Sequence, residues 1–260
     1  MIAKQYGPWA LIVGGSEGVG ASFAFKLAAE GLNLALIARK PGPLAELAAA
    51  VKSRSKVDVR TLSMDIRAAD MLDRVRRLTD DIEVGLLIYN AGAVTRFSQF
   101  LDASLEDALD MVRLNALGQA ILAHHFGSRM RPRGRGGIIL VGSMAGYAGA
   151  PGEICYAASK AFSRIFAEGL WHELKPHGVH VLGLTLGLTR TPSMARLGMA
   201  MDNPDFVPAE PDDVAQAGLD NLANGPLFTI GGEEGAKYLS TLPRAQAVEF
   251  MAQGAKSLHG

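Results

Sequence analysis

Three side chains that could act on one reacting oxygen stand close together in the sequence: Ser143, Tyr156 and Lys160. Ser143 closes the apolar run Gly137-Gly-Ile-Ile-Leu-Val-Gly142, which reads as a buried strand. Its hydroxyl is therefore expected where a parallel sheet opens towards ligand. Tyr156 and Lys160 are four apart in an Ala-rich segment of good helix propensity, which puts phenol and ammonium on one helix face about one turn apart. A phenol is a poor base at neutral pH, with a reference pKa of about 10. A nearby ammonium favours phenolate, and a positively charged ring bound alongside would favour it further. On this reading Tyr156 passes a proton to or from a carbinol oxygen while Ser143 hydrogen-bonds the same oxygen. Cys155, next to Tyr156, has no His nearby in sequence and reads as a small hydrophobe.

These groups need a scaffold, and the chain supplies strands alternating with helices. Trp9-Ala-Leu-Ile-Val13, the turn Gly14-Gly-Ser-Glu-Gly-Val-Gly20, a helix over residues 21–30 and the strand Asn33-Leu-Ala-Leu-Ile37 form a βαβ unit. In such a turn some glycines permit the bend, others let a pyrophosphate approach the helix N-terminus, and one allows close helix–strand packing. The spacing Gly14-x-x-x-Gly18-x-Gly20 departs from the standard dinucleotide fingerprint, and Gly14-Gly-Ser16-Glu-Gly18 also matches a hydrolase nucleophile elbow. Pro41-Gly-Pro43 is expected to break the chain before a helix through Val51. Strands follow at 57–63 and 84–89, the latter running into Asn90-Ala91-Gly92. A helix over 104–130 carries Asn115 in mid-helix, where its low propensity needs a reason. Beyond the Tyr156 helix come a strand at 180–185, a helix over 211–222, a strand at 227–230 and a C-terminal helix over 233–256 bent at Pro243. Periodicity is lost over 189–208, whose Met194, Leu197, Met199, Met201 and Phe206 suggest a lid, taken as residues 189–210.

The 260 residues suit one α/β domain spanning 1–260, with residues 231–260 as a helical extension. With 26 basic and 26 acidic residues, no overall field draws the protein to nucleic acid or anionic lipid. The basic run Arg129-Met-Arg-Pro-Arg-Gly-Arg135 reads as a solvated helix C-terminus. One cysteine excludes an intrachain disulfide, and no metal site is expected. The first eight residues lack an apolar signal core, and no stretch approaches ~18 uninterrupted apolar residues. A soluble, cytoplasmic protein acting on a small molecule is expected.

With Gly14, Gly18 and Gly20, Asn90-Ala91-Gly92, Asn115, Ser143, Tyr156 and Lys160 in order, and thirteen residues from Ser143 to Tyr156, the sequence resembles the short-chain dehydrogenase/reductase family. The resemblance is to its short, single-domain form and covers residues 9–230. It implies a doubly wound, Rossmann-type parallel sheet of about seven strands with helices on both faces. It also implies an oxidoreductase moving hydride between a nicotinamide cofactor and a ketone or secondary alcohol. Tyr156 would then be the acid/base, Ser143 would hold the substrate oxygen, Lys160 would grip the nicotinamide ribose and lower the phenol pKa, and Asn115 would support a proton-relay water. The resemblance further implies that Ser16, Glu17 and Val19 join the glycines around the cofactor, that Asp65 and Ile66 flank its adenine, and that Asn90 stabilises the central sheet. Gly187, Thr189 and Thr191 would close over it, and two long helices would associate subunits as a homodimer or homotetramer.

The sequence departs from the family pattern at Val13, where a Thr usually ties the turn to the sheet, at Leu186-Gly187 in place of Pro-Gly, and at the acidic Glu17. The Leu186-Gly187 loop is expected to be less rigid for lack of that proline. An acid after the second strand would bind the ribose hydroxyls of NAD(H); here stand Arg39 and Lys40, which favour the 2′-phosphate of NADP(H), with Ser16 as a further contact. Met144, Ala145, Ile154, Met194 and Leu197 would line an apolar substrate pocket, with Glu153 as its polar contact, so a bulky hydrophobic substrate is expected. The rival readings are a serine hydrolase using Ser16 and a dinucleotide-binding sensor or scaffold without turnover.

Overall fold

The computed structural model describes residues 2–92, 97–198 and 207–259, with 255–259 as backbone alone. A short helix α1 (Ile2–Tyr6), unforeseen from the sequence, precedes β1 (Trp9–Val13), α2 (Gly18–Ala29), β2 (Asn33–Ala38), α3 (Pro41–Arg54) and β3 (Val59–Ser63). Pro41 opens α3 rather than breaking the chain ahead of it, because a first-turn N–H has no helical partner to lose and proline's φ already suits the helix. After α4 (Met71–Thr79) and β4 (Val84–Tyr89), the helix expected over 104–130 begins at α5 (Leu105–Val112), widens into a π-helical turn at Arg113–Leu117, and continues as α6 (Gly118–Arg133). Strand β5 spans Gly136–Ser143, so Ser143 is its last residue; a 3₁₀ turn at Met144–Tyr147 leads to α7 (Ile154–Leu174). Then come β6 (Val179–Leu186), α8 (Pro192–Arg196), α9 (Pro211–Asn221), β7 (Leu227–Ile230), α10 (Glu233–Thr241) and α11 (Arg244–His259), the last two separated at Pro243 as expected. Part of the stretch read as irregular is thus the short helix α8, while Met199, Met201 and Phe206 lie outside the described residues.

The seven strands form one sheet in the order β3-β2-β1-β4-β5-β6-β7, and every pairing is parallel. Side chains along a strand alternate between faces, and both faces here are covered by helices, so β1 and β4 are buried at every position. Ala10 and Ile12 of β1 point to the face packed by Phe23 and Leu27 of α2 and Val214 of α9; Leu11 and Val13 point to the face packed by Val75 of α4 and Leu122 and Phe126 of α6. Strand order reverses between β1 and β4, where the carboxyl ends of neighbouring strands leave a crevice for a ligand. Among the described residues no helix is long and apolar enough to cross a membrane, and no cluster of His, Cys, Asp and Glu could hold a metal.

Candidate active site

The crevice is framed by the loops after β1, β4 and β5. After Val13 the chain turns at Gly14, with φ of +83°, and at Gly18, with φ of +53°, values that favour glycine. Gly20 serves close packing instead. A Cβ there would lie 2.1 Å from the Gly14 carbonyl oxygen, so only glycine lets α2 begin this close to the strand. The N–H groups of Asn90 and Ala91 donate to the Val13 carbonyl at 2.9 and 2.7 Å, and Asn90 Nδ2 donates to the Gly14 carbonyl at 2.9 Å. The Asn90 amide therefore ties the glycine turn to the sheet, a role for which Val13 offers no hydroxyl. Glu17, at the N-cap of α2, makes no capping bond to that helix through its side chain. The tight glycine cradle and this helix N-terminus suit a pyrophosphate, so the residues present fit a dinucleotide.

Ser143, Tyr156, Lys160, Asn115 and Gly92 come together at the carboxyl ends of β4 and β5. Ser143 Oγ accepts a hydrogen bond from the Ala145 N–H at 3.2 Å and lies within hydrogen-bonding reach of the Tyr156 hydroxyl. Lys160, buried, donates from Nζ to the Val141 carbonyl at 3.0 Å, and its Nζ lies 5.5 Å from the centre of the Tyr156 ring. Gly92 leaves room for two of these side chains. A Cβ there would stand 2.6 Å from Asn115 Oδ1 and 2.8 Å from Lys160 Nζ. The π-helical turn answers the question Asn115 raises in mid-helix. Widening the turn moves backbone bonds to the i−5 carbonyl, and the Asn115 side chain donates from Nδ2 to the Met111 carbonyl, four residues back, at 3.0 Å.

Electrostatics at the cluster differ from the sequence expectation. Burial pushes the Tyr156 phenol up to about 12; the Ser143 hydrogen bond pulls it down, and the nearby Glu153 carboxylate pushes it further up. Burial also lowers Lys160 to about 8 and raises Glu153 to about 7. Without ligand Tyr156 is a protonated phenol at neutral pH, as one at the ordinary value of about 10 would be, and burial holds it further from ionisation. A neutral phenol facing an acceptor is a proton donor.

A family model described as short chain dehydrogenase matches residues 8–201. The chain belongs to the short-chain dehydrogenase/reductase family. It is 31% identical over 233 residues to a 7beta-hydroxysteroid dehydrogenase of Clostridium sardiniense, covering 88% of this chain and 87% of that one. A solved structure of a 7beta-hydroxysteroid dehydrogenase superposes with a TM-score of 0.88 at 25% identity, covering 96% of this chain and 98% of the other. A short-chain dehydrogenase from Sphingobium yanoikuyae, solved in complex with NADPH, gives a TM-score of 0.79 at 30% identity over 94% of this chain and 99% of its own. Members of this family are NAD(P)-dependent oxidoreductases. The hydrolase reading falls with this membership, and also on geometry: a nucleophile elbow holds its serine in a strained turn, whereas among the described residues no non-glycine residue has a positive φ.

Around this short-chain dehydrogenase/reductase centre the remaining residues fall into two groups. Arg39 and Lys40 are exposed after β2, and among the described residues neither side chain has a hydrogen-bond or ion-pair partner. Asp65 is instead gripped by Arg67, whose Nε donates to Oδ1 at 2.9 Å and Nη2 to Oδ2 at 2.6 Å; this guanidinium holds the carboxyl below its usual range. Ile66 is buried in the core beneath. Gly187 fits against the Gly231 backbone, where a Cβ would come within 1.8 Å of its carbonyl oxygen, and the Gly187 N–H donates to the Ile230 carbonyl at 2.9 Å. Two further backbone bonds, Ala209 N–H to the Leu188 carbonyl and Arg190 N–H to the Ala209 carbonyl, both at 2.9 Å, hold this loop in place of the absent proline.

The Thr189 hydroxyl donates to the Gly187 carbonyl at 3.2 Å, and the Thr191 hydroxyl caps α8 by accepting from the Met194 N–H at 3.3 Å. Of the apolar candidates, Met144 packs with the C-terminal helices, in a small cluster built on Ala148, Leu239 and Ala247. Ala145 is buried, Ile154 is half-exposed at the start of α7, and Met194 and Leu197 are partly exposed on and just after α8. Two charged residues escaped sequence reasoning. Arg67 could have been suspected from the Asp-x-Arg spacing, which lets the Arg67 N–H and side chain both reach Asp65. Arg196 pairs with Glu17, 179 residues away, and nothing local in sequence announces it.

Proposed function

We propose that this protein is an NADP(H)-dependent reductase of bulky, hydrophobic ketones, and a dehydrogenase of the corresponding secondary alcohols. The observation that carries the reading is the meeting of Ser143 and a protonated Tyr156 beside a buried Lys160 at the crevice end of the sheet. A bound nicotinamide supplies the hydride in reduction and accepts it in oxidation. Ser143 and Tyr156 both direct hydrogen bonds to the substrate oxygen, and Tyr156 gives up its proton as negative charge develops there. Lys160 holds the nicotinamide ribose and, as an ammonium, steadies the phenolate left behind; Asn115 supports a water through which the proton is replaced. Gly14, Ser16, Gly18, Val19 and Gly20 would hold the pyrophosphate, Asp65 and Ile66 the adenine, and Ala91, Gly92, Gly187, Thr189 and Thr191 the nicotinamide end. Arg39, with Lys40 beside it, takes the 2′-phosphate in preference to NAD(H).

The substrate reading rests on Met194, Leu197, Ile154 and Ala145, with Glu153 as the polar exception, and is supported by the hydroxysteroid activity named for the relative from Clostridium sardiniense. It is tested by kcat/KM across matched ketones of rising apolar size, with NADPH as reductant. Cyclic and aromatic ketones should exceed small polar ketones and sugars by at least ~10-fold, since each buried methylene contributes roughly 0.8 kcal/mol. The opposite order would defeat the substrate reading and leave the reaction class standing.

Glu153 gives a pH signature with a definite sign. Its carboxyl is neutral in both folded and unfolded chains below its ordinary range and ionises in the folded protein only near about 7. Above that pH its charge opposes ionisation of Tyr156, which keeps the phenol protonated and holds back the phenolate that alcohol oxidation needs. Glu153→Gln should therefore move the rising limb of alcohol oxidation to lower pH, while ketone reduction below pH ~6, where Glu153 is neutral, changes little. An unmoved oxidation profile would sever Glu153 from the proton chemistry.

Association as a homodimer or homotetramer is supported by apolar side chains on the outer faces of the long helices, among them Leu105, Leu109, Leu117, Phe162 and Ile165, all at least 38% exposed in the single chain. Light scattering at micromolar concentration should give a multiple of 27.5 kDa, and a monomer alone would end that reading.

A further inference from the structure

The unfavourable feature of the cofactor crevice is Glu17, a carboxylate one residue before Gly18, beside cations suited to phosphate. Its side chain is held by α8. The first residues of α8 rest on the glycine turn, since a Cβ on Gly18 would lie 3.2 Å from Thr191 Cγ2 and 3.7 Å from Pro192 Cδ. From the far end of the same helix Arg196 grips Glu17 with both prongs of its guanidinium, Nη1 to Oε2 at 3.1 Å and Nη2 to Oε1 closer still. Arg39 and Lys40 are also near enough to favour the charged form of Glu17, yet neither pairs with it.

We propose that Arg196 is a specificity-positioning residue for the 2′-phosphate of the cofactor: by holding the Glu17 carboxylate it keeps that charge off Arg39 and Lys40 and away from the phosphate. The inference rests on the NADP(H) reading above. Released from Arg196, Glu17 would pair with the two cations whose side chains stand unpartnered, and the phosphate would have to displace it. A two-pronged guanidinium–carboxylate pair is the geometry that holds a carboxylate in one place, which a lysine ammonium does less well. Arg196 acts through Glu17 and need not touch the cofactor.

The test is calorimetric binding, with no turnover, of 2′,5′-ADP and of 5′-AMP, which differ in the 2′-phosphate. It uses the 260-residue protein, Arg196→Ala, Glu17→Gln, the double variant and Arg39→Ala, each checked by thermal melting. Arg196→Ala should weaken 2′,5′-ADP by about 5- to 20-fold and 5′-AMP by less than about twofold, the scale expected when a partly screened charge is turned against an anion. Glu17→Gln should bind 2′,5′-ADP as well as the unmodified protein or better. Adding Glu17→Gln to Arg196→Ala should restore affinity to within about threefold, because the carboxylate that needed holding is gone. A double variant as weak as Arg196→Ala would overturn the proposal in favour of direct contact between Arg196 and phosphate, and equal weakening of both ligands would overturn it in favour of a structural role. Failure of the NADP(H) reading looks different: the unmodified protein would not prefer 2′,5′-ADP, and Arg39→Ala would leave its affinity unchanged.

Discussion

Replacing Tyr156 by Phe should lower single-turnover hydride transfer from NADPH by about 10³-fold, within the range assigned to a positioned proton donor, and change NADPH affinity by less than about threefold. The variant removes one oxygen, the phenol that faces Ser143 and that burial keeps protonated, with its pKa pushed up to about 12. It removes no group from the glycine turn, and the Lys160 bond to the Val141 carbonyl does not depend on it. Chemistry and binding should therefore separate. Retention of even a tenth of the wild-type rate would remove Tyr156 from the reaction.

The second large effect comes from a residue with no side chain. Gly92→Ala would place a methyl 2.6 Å from Asn115 Oδ1 and 2.8 Å from Lys160 Nζ. Neither neighbour can yield without loss, because the Asn115 amide is tied to the Met111 carbonyl and Lys160 to the Val141 carbonyl, each at 3.0 Å. Displacing a reacting constellation by about 1 Å costs on the order of 10²-fold in rate, so kcat should fall by about that factor, while overpacking lowers stability by only ~1–3 kcal/mol. A folded Gly92→Ala protein with wild-type kcat would show that Asn115 and Lys160 are not held as described.

Much of this was legible in the sequence because burial leaves a periodic trace. Continuous apolar runs such as Leu86–Tyr89 announced strands buried on both faces, and the four-residue spacing of Tyr156 and Lys160 announced a shared helix face. The order of Gly14, Gly18, Gly20, Asn90, Ser143 and Tyr156 carried the family. Local chemistry was harder to read. The π-helical turn at Asn115 leaves the apolar pattern around it nearly intact, so the sequence showed an anomaly without showing its form. Pro41 carried two meanings, breaker and helix starter, and only the path of the chain chose between them.

The effect of burial on Tyr156 was out of reach because spacing reports which groups are neighbours and says nothing of how far each is withdrawn from water. In the folded chain desolvation is the largest influence on both Tyr156 and Lys160. The Glu17–Arg196 pair was out of reach for another reason. It joins two surface segments brought together by tertiary packing alone, and surface charges follow no period.

The most direct measurement of the central claim is a stoichiometry. Purified protein mixed with NADPH and a bulky cyclic ketone should consume cofactor continuously, with one secondary alcohol formed per NADPH oxidised and turnover abolished in Tyr156→Phe. NADPH that binds and persists unoxidised across a broad panel of ketones would contradict the reductase account and favour a dinucleotide-binding protein without turnover.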